Sequence, residues 1–268
     1  CSGIGSHGTH VAGIIGAKRN SSGMHGVAPA ATIVPIRIFN DSGNSVSDIS
    51  ESINFAGQHA RIVNNSWGTS KYTNLATCTI GGISYTCRGV IPGSSSSGMD
   101  SSAEITQWNQ LASTDNTVAV FAAGNDGESE PDAQCQTMKY NSDINAVSVC
   151  VVAVSYYTSG PYSTGDGKIA SFSDRCGSVA AYCIAAPGDR IGTTSRNNGY
   201  AYETGTSFAA PMVSGGLALI MEEFSSLTPA QVVTRLLTTA NDSSEYSQTS
   251  IYGHGMMNLN AATAAVAK

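Results

Sequence analysis

The sequence predicts an α/β fold with a mostly parallel central sheet between two layers of helices. Helical stripes of period 3.6 alternate along the chain with short β-branched runs, the pattern of a parallel sheet covered by helices on both faces. The 268 residues show no internal repeat and no linker between halves, so one domain over residues 1–268 accounts for them.

The elements follow in order. A helix starts near Ser6 and carries Val11, Ile14 and Ile15 on its apolar stripe; a strand is expected over residues 32–38. Val46, Ile49, Ile53, Ala56 and Ala60 recur at helical spacing, and Ile62–Asn65 reads as the next strand, ending at Ser66-Trp67-Gly68. Residues 69–102 break the alternation with Gly- and Ser-rich sequence and read as an inserted surface loop pinned by a Cys78–Cys87 disulfide. Ile105, Trp108 and Leu111 mark a helix, and residues 117–122 and 147–154 two further strands. A long helix follows Ser207. Another opens at Thr228-Pro229-Ala230-Gln231, where Thr is the N-cap, Pro takes the first helical position and Gln completes a capping box.

Composition narrows the function. Thirteen basic against nineteen acidic residues give a net charge of −6, and no run of Lys or Arg makes a basic stripe, which argues against nucleic acid as a partner. No apolar run approaches the ~20 residues that span a bilayer. Charged residues make up only 12%, about half the usual share, which favours an exported, extracellular or cell-surface protein. Cysteine usage agrees: Cys78 with Cys87, Cys135 with Cys150 and Cys176 with Cys183 are close pairs suited to local disulfides, with buried free thiols as the alternative, and Cys1 is left over.

Three short blocks carry the chemistry. Ser6-His7-Gly8-Thr9-His10-Val11-Ala12-Gly13 runs from a polar turn into a helix of small residues and would present His7 at the helix N-terminus. A core histidine is the plain alternative; the His7/His10 spacing also suits a metal, but the H-E-x-x-H carboxylate is missing and no metal is assigned. Phe121-Ala122-Ala123-Gly124-Asn125-Asp126-Gly127 ends an apolar strand in a glycine-flanked Asn whose amide can donate to an oxyanion, although Asn and Gly are also ordinary turn residues. Gly205-Thr206-Ser207-Phe208-Ala209-Ala210-Pro211 puts Ser207 at a helix N-terminus, where free N–H groups favour negative charge; the alternative is a plain helix cap.

In the order His, Asn, Ser, these blocks resemble the subtilisin family of serine peptidases. His25-Gly26-Val27-Ala28-Pro29, Asn65-Ser66-Trp67-Gly68 and Tyr252-Gly253-His254-Gly255 extend the resemblance over nearly the whole chain. It implies a subtilisin-like three-layer αβα fold, with His7 and Ser207 catalytic and with Asn125 and the Ser207 N–H as the oxyanion hole. It also implies that Ser66, Trp67, Gly68, Ala123 and Gly124 bind a polypeptide substrate as an added strand. No cofactor is implied, and structural calcium is not legible from the sequence. The stretch from Ser171-Phe172-Ser173-Asp174-Arg175-Cys176-Gly177 to Ala186-Pro187-Gly188, with Leu236-Leu237-Thr238-Thr239-Ala240, looks most like the peptidase domains of bacterial autotransporters. That resemblance implies a translocating β-barrel and a propeptide outside this chain.

One departure shapes the expectation. The family places an Asp on a strand upstream of the His, yet only six residues precede His7 and none is acidic. The expected reading is a domain lacking its N-terminal segment and the catalytic Asp with it; the alternative is a catalytically inactive peptidase-like domain that binds extended peptides.

Overall fold

The computed structural model describes residues 4–40, 48–68, 75–80, 83–88, 102–114, 116–140, 142–162 and 164–265. In chain order the elements are α1 (Ile4–Gly16), α2 (Ile49–His59), β1 (Ile62–Asn65), β2 (Leu75–Ile80), β3 (Ile83–Arg88), α3 (Ser102–Ser113), β4 (Val118–Ala122), α4 (Ala133–Thr137), α5 (Ser142–Asn145) and β5 (Ser148–Ser155). They continue as β6 (Lys168–Ile169), β7 (Cys183–Pro187), β8 (Ile191–Thr194), β9 (Tyr200–Glu203), α6 (Thr206–Glu223) and α7 (Pro229–Thr238), with two short helices beyond.

A five-stranded sheet organises the fold. β1, β4, β5 and β7 are parallel neighbours in that order, and the two residues of β6 pair antiparallel with the end of β5. Successive side chains of a strand point to opposite faces. Ala119, Phe121 and Ala123 therefore join Ile49, Ile53, Trp108 and Leu111 on the side of α2 and α3. Val118, Val120 and Ala122 pack on the other side against Ala209, Val213, Leu217 and Ile220 of α6 and Val232 and Leu236 of α7. β4 and β5 are buried at every position, as a strand covered on both faces must be. This is the three-layer αβα arrangement expected. A smaller cluster of Val11, Ile14 and Phe208 docks α1 on α6.

Local chemistry sets the ends of the helices. Asp48 caps α2 by accepting from the Ser50 N–H at 2.8 Å. Both halves of the capping box of α7 are present, between Thr228 and Gln231. Pro211 lies inside α6, past its first turn, so its missing N–H leaves the Ser207 carbonyl without its intrahelical donor, and the Ser66 hydroxyl donates to that carbonyl instead, at 2.7 Å. Val46 and Cys1 lie outside the described residues.

Residues 32–38 depart from expectation. They form no strand, and Ile33, Val34 and Ile36 are 36%, 42% and 36% exposed. A β-branched run becomes a strand only where a neighbour completes its ladder, and among the described residues none does. The stretch 69–102 contains the antiparallel pair β2–β3, off the main sheet. The side chains of Cys78 and Cys87, and so their pairing, lie outside the described ones. Cys135–Cys150 and Cys176–Cys183 are disulfides with Cα atoms 5.4 and 5.8 Å apart. Among the described residues no helix is long and apolar enough to cross a membrane.

Candidate active site

The site gathers at one end of the sheet, where β1 and β4 run out and α1 and α6 begin. β1 continues into Ser66, Trp67 and Gly68, and β4 into Ala123, Gly124 and Asn125. Gly124 has φ +116°, and a Cβ there would lie 2.2 Å from Asp174 Oδ2, so only glycine fits. The turn it makes brings Asn125 against the start of α6.

Asn125 Oδ1 accepts two hydrogen bonds from Thr206, from the backbone N–H at 2.8 Å and from Oγ1 at 3.1 Å. Thr206 is fully buried, and its hydroxyl lies 3.2 Å from both the N and the O of Gly124. Because Oδ1 is occupied, the Asn125 amide presents its two Nδ2 protons, and among the described residues no acceptor takes them. The next N–H, that of Ser207, lies in the first turn of α6 and has no intrahelical partner.

Ser207 is held by Ser66 in a reciprocal pair. Ser207 Oγ donates to the Ser66 carbonyl at 3.2 Å, and Ser66 Oγ donates to the Ser207 carbonyl at 2.7 Å. Asn64 donates to Ser66 Oγ at 2.8 Å and accepts from Ser214 at 2.8 Å, fixing the end of β1 to α6. Trp67 packs on the α2/α3 side of the core, its ring edge-on to Phe39.

His7 sits half-buried in the first turn of α1, its ring 5.4 Å from that of Phe208, the residue after Ser207. Among the described residues no hydrogen bond joins His7 to Ser207, whose hydroxyl turns to Ser66 instead. Burial holds the imidazole below its ordinary pKa, the neighbouring His10 lowers it further, and Glu203 opposes both. His10 is buried, with Nδ1 3.2 Å from Glu203 Oε1.

The sequence reading missed the acidic underside of this site. Asp174 is fully buried; its Oδ1 accepts from the N–H groups of Asp126 at 3.1 Å and Glu128 at 2.8 Å, while its own N–H donates to Gly124 O at 3.1 Å. Carboxylate oxygens of Asp126, Asp132 and Asp174 lie within 4.8 Å of one another. Asp174 belongs to the quoted stretch 171–177, but nothing in its neighbours signals that it clasps a turn some fifty residues earlier. Glu203 was equally silent, four residues before Ser207.

A His, an Asn and a Ser are thus brought to the strand ends of an αβα sheet around the start of α6. The Peptidase_S8 subtilase family profile matches residues 2–255, and the chain belongs to that family. Serotype-specific antigen 1 of Mannheimia haemolytica is 36% identical over 158 residues, 56% of this chain and 16% of that protein. The extracellular serine protease of Serratia marcescens is 29% identical over 301 residues, 96% of this chain and 27% of its own length. Among solved structures, fervidolysin of Fervidobacterium pennivorans, a keratinolytic enzyme related to subtilisin, superposes with a TM-score of 0.71 at 29% identity, over 97% of this chain and 36% of that one. The chain therefore spans 16% and 27% of the length of these two relatives.

Proposed function

We propose that this domain is the peptidase unit of an exported serine endopeptidase, with His7 as general base, Ser207 as nucleophile and Asn125 with the Ser207 N–H as oxyanion hole. The observation that carries the reading is the double hydrogen bond from Thr206 to Asn125 Oδ1, because it occupies the amide's acceptor beside the helix that bears Ser207 and leaves Nδ2 to donate. Substrate lies extended along Ser66–Gly68 and Ala123–Gly124, adding a strand through main-chain hydrogen bonds.

The chemistry is acyl transfer. Ser207 Oγ leaves its bond to Ser66 O, gives its proton to His7 and bonds to the peptide carbonyl carbon; the carbonyl π pair moves to oxygen, where Asn125 and the Ser207 N–H receive it. His7 returns the proton to the departing amine as the C–N bond breaks. Water then attacks the acyl-enzyme by the same route, with His7 again taking and returning a proton.

In this reading a carboxylate reaches His7 on a strand supplied by residues outside 1–268. A cavity of about 1500 Å³ supports it, running from His7 between residues 31–39 and the β1 side, with Ile33, Ile36, Val63 and Met221 in its walls. β1 pairs only with β4 among the described residues, and residues 32–38 lack a ladder, so both walls can take an added strand. Export through the Gram-negative envelope with a separate β-barrel and a propeptide belongs to the same reading; the two disulfides suit an oxidising compartment.

The test is labelling of the whole protein with a fluorophosphonate, alongside cleavage of an unfolded protein. Labelling confined to Ser207 and lost in Ser207→Ala supports the reading. A folded protein that neither labels nor cleaves, yet binds extended peptides, overturns it in favour of a peptide-binding domain. Residues 1–268 alone should label about 10⁴-fold more slowly, the order lost when the triad Asp is removed from subtilisin.

A further inference from the structure

The helix that carries His7 is clasped by the β8–β9 hairpin. Thr193 Oγ1 donates to His10 O at 2.5 Å, and Thr194 Oγ1 donates to Thr9 O at 3.0 Å. Gly13 permits this approach, since a Cβ there would meet Thr194 Oγ1 at 2.1 Å. At the end of the hairpin Glu203 meets His10 across 3.2 Å, and His10 Nε2 lies 3.4 Å from Ser195 Oγ. A carboxylate only accepts, so the Nδ1–H of His10 donates to Glu203, and the Ser195 hydroxyl donates to Nε2 when the ring is neutral. Glu203 keeps 27% of its side chain exposed and lines the same cavity as His7.

We infer that Glu203 is a positioning residue for His7: it anchors α1 through His10 and sets a fixed negative charge near the imidazole on which the peptidase reading depends. A serine peptidase needs its His to face the nucleophile in one orientation and to carry a proton briefly during attack. The hairpin strand that bears Glu203 leads through Thr204 and Gly205 straight into α6, so the residues presenting Ser207 and the carboxylate steadying α1 are four apart in one continuous segment. His7 and Ser207 are thereby tied to each other from both sides. The titratable groups acting on His7 are His10, one turn along its own helix, and Glu203 from β9; Phe208 of α6 lies against it without charge.

The two groups act on His7 with opposite sign, which makes the inference testable apart from the peptidase activity. In the whole protein with ¹³Cε1-labelled histidine, Glu203→Gln keeps an acceptor for His10 but removes the charge. It should move the His7 titration down by about half a pH unit or more. Glu203→Asp keeps the charge and should move it less, and His10→Gln should move it up. On a peptide substrate Glu203→Gln should lower kcat about 3- to 10-fold while KM stays within about two-fold, as expected for a residue felt mainly in the transition state. Unmoved titrations, or shifts of one sign in Glu203→Gln and His10→Gln, overturn the inference. Labelling of Ser207 in the wild type reads the peptidase function separately: if the titrations shift as stated and Ser207 does not label, the coupling stands and the peptidase reading falls.

Discussion

Asn125 Oδ1 accepts both the backbone N–H and the hydroxyl of Thr206, so the residue before the serine orients the asparagine that follows strand β4. The pair joins two segments eighty-one residues apart and decides which end of the amide is left to donate.

Replacing Asn125 with Ala removes the donor and leaves the fold in place. Turnover should fall ~10²–10³-fold with KM little changed, the range found for loss of this donor in subtilisin. Thr206→Val keeps the N–H bond but loses Oγ1, freeing the amide to rotate, and should cost less. Steady-state kinetics on one peptide ranks the two variants; equal losses, or a raised KM in place of a lowered kcat, would count against the assignment.

Asp174 holds the Asn125 turn from beneath through the N–H groups of Asp126 and Glu128. Asp174→Ala leaves both N–H donors, on exposed residues that water can reach, without their acceptor and should destabilise by about 1.5–3 kcal/mol, the range for a hydrogen bond to a charged group. Asp174→Asn retains an acceptor oxygen and should lose less. Urea unfolding of the two variants gives the comparison, and an Ala variant as stable as wild type would refute the clasp.

His7 is held below its ordinary pKa chiefly by burial. The sign follows: as pH falls through about 6.5, the unfolded chain takes up a proton that native His7 still refuses, so stability drops until the native ring also titrates. Between pH 7.5 and 5.5 the loss in Tm should be smaller in His7→Asn than in wild type. An added carboxylate strand would raise the ring's pKa and narrow that window, so residues 1–268 alone should show the larger pH effect.

The disulfides tie the layer of small helices to the sheet. Cys150 on β5 and Cys183 on β7 are register partners, and their partners Cys135 and Cys176 lie in the α2/α3-side core. The bridges close sequence separations of 15 and 7 residues, worth about 2–3 kcal/mol each by loop entropy. Thermal unfolding with and without reductant should show a fall of several degrees. Alkylation of the reduced, refolded protein should then label these four cysteines only after denaturation, since all four are fully buried.

The α/β class and α1, α2, β1, α3, β4, β5, α6 and α7, to within a few residues, were legible in the amino-acid order, as were the three blocks around His7, Asn125 and Ser207 that the fold brings to the start of α6. Each of those signals is local: a helical stripe, an apolar run, a Thr-Pro-x-Gln cap or a glycine-flanked motif is written in adjacent residues. The sequence could not separate the strand β7, whose Cys183-Ile184-Ala185-Ala186-Pro187 is short and poor in β-branched residues, from the coil of residues 32–38, whose Ile33, Val34 and Ile36 look more strand-like. A ladder decides that question, and β7 has β5 beside it whereas residues 32–38 have no neighbour to complete theirs. Nor did the sequence disclose that Thr206 orients Asn125, that Asp174 clasps the turn, or that Glu203 meets His10. Those contacts join residues 46 to 193 positions apart; a short-range polar contact exists only once packing has brought both partners within about 3 Å of each other, and that is a property of the folded chain.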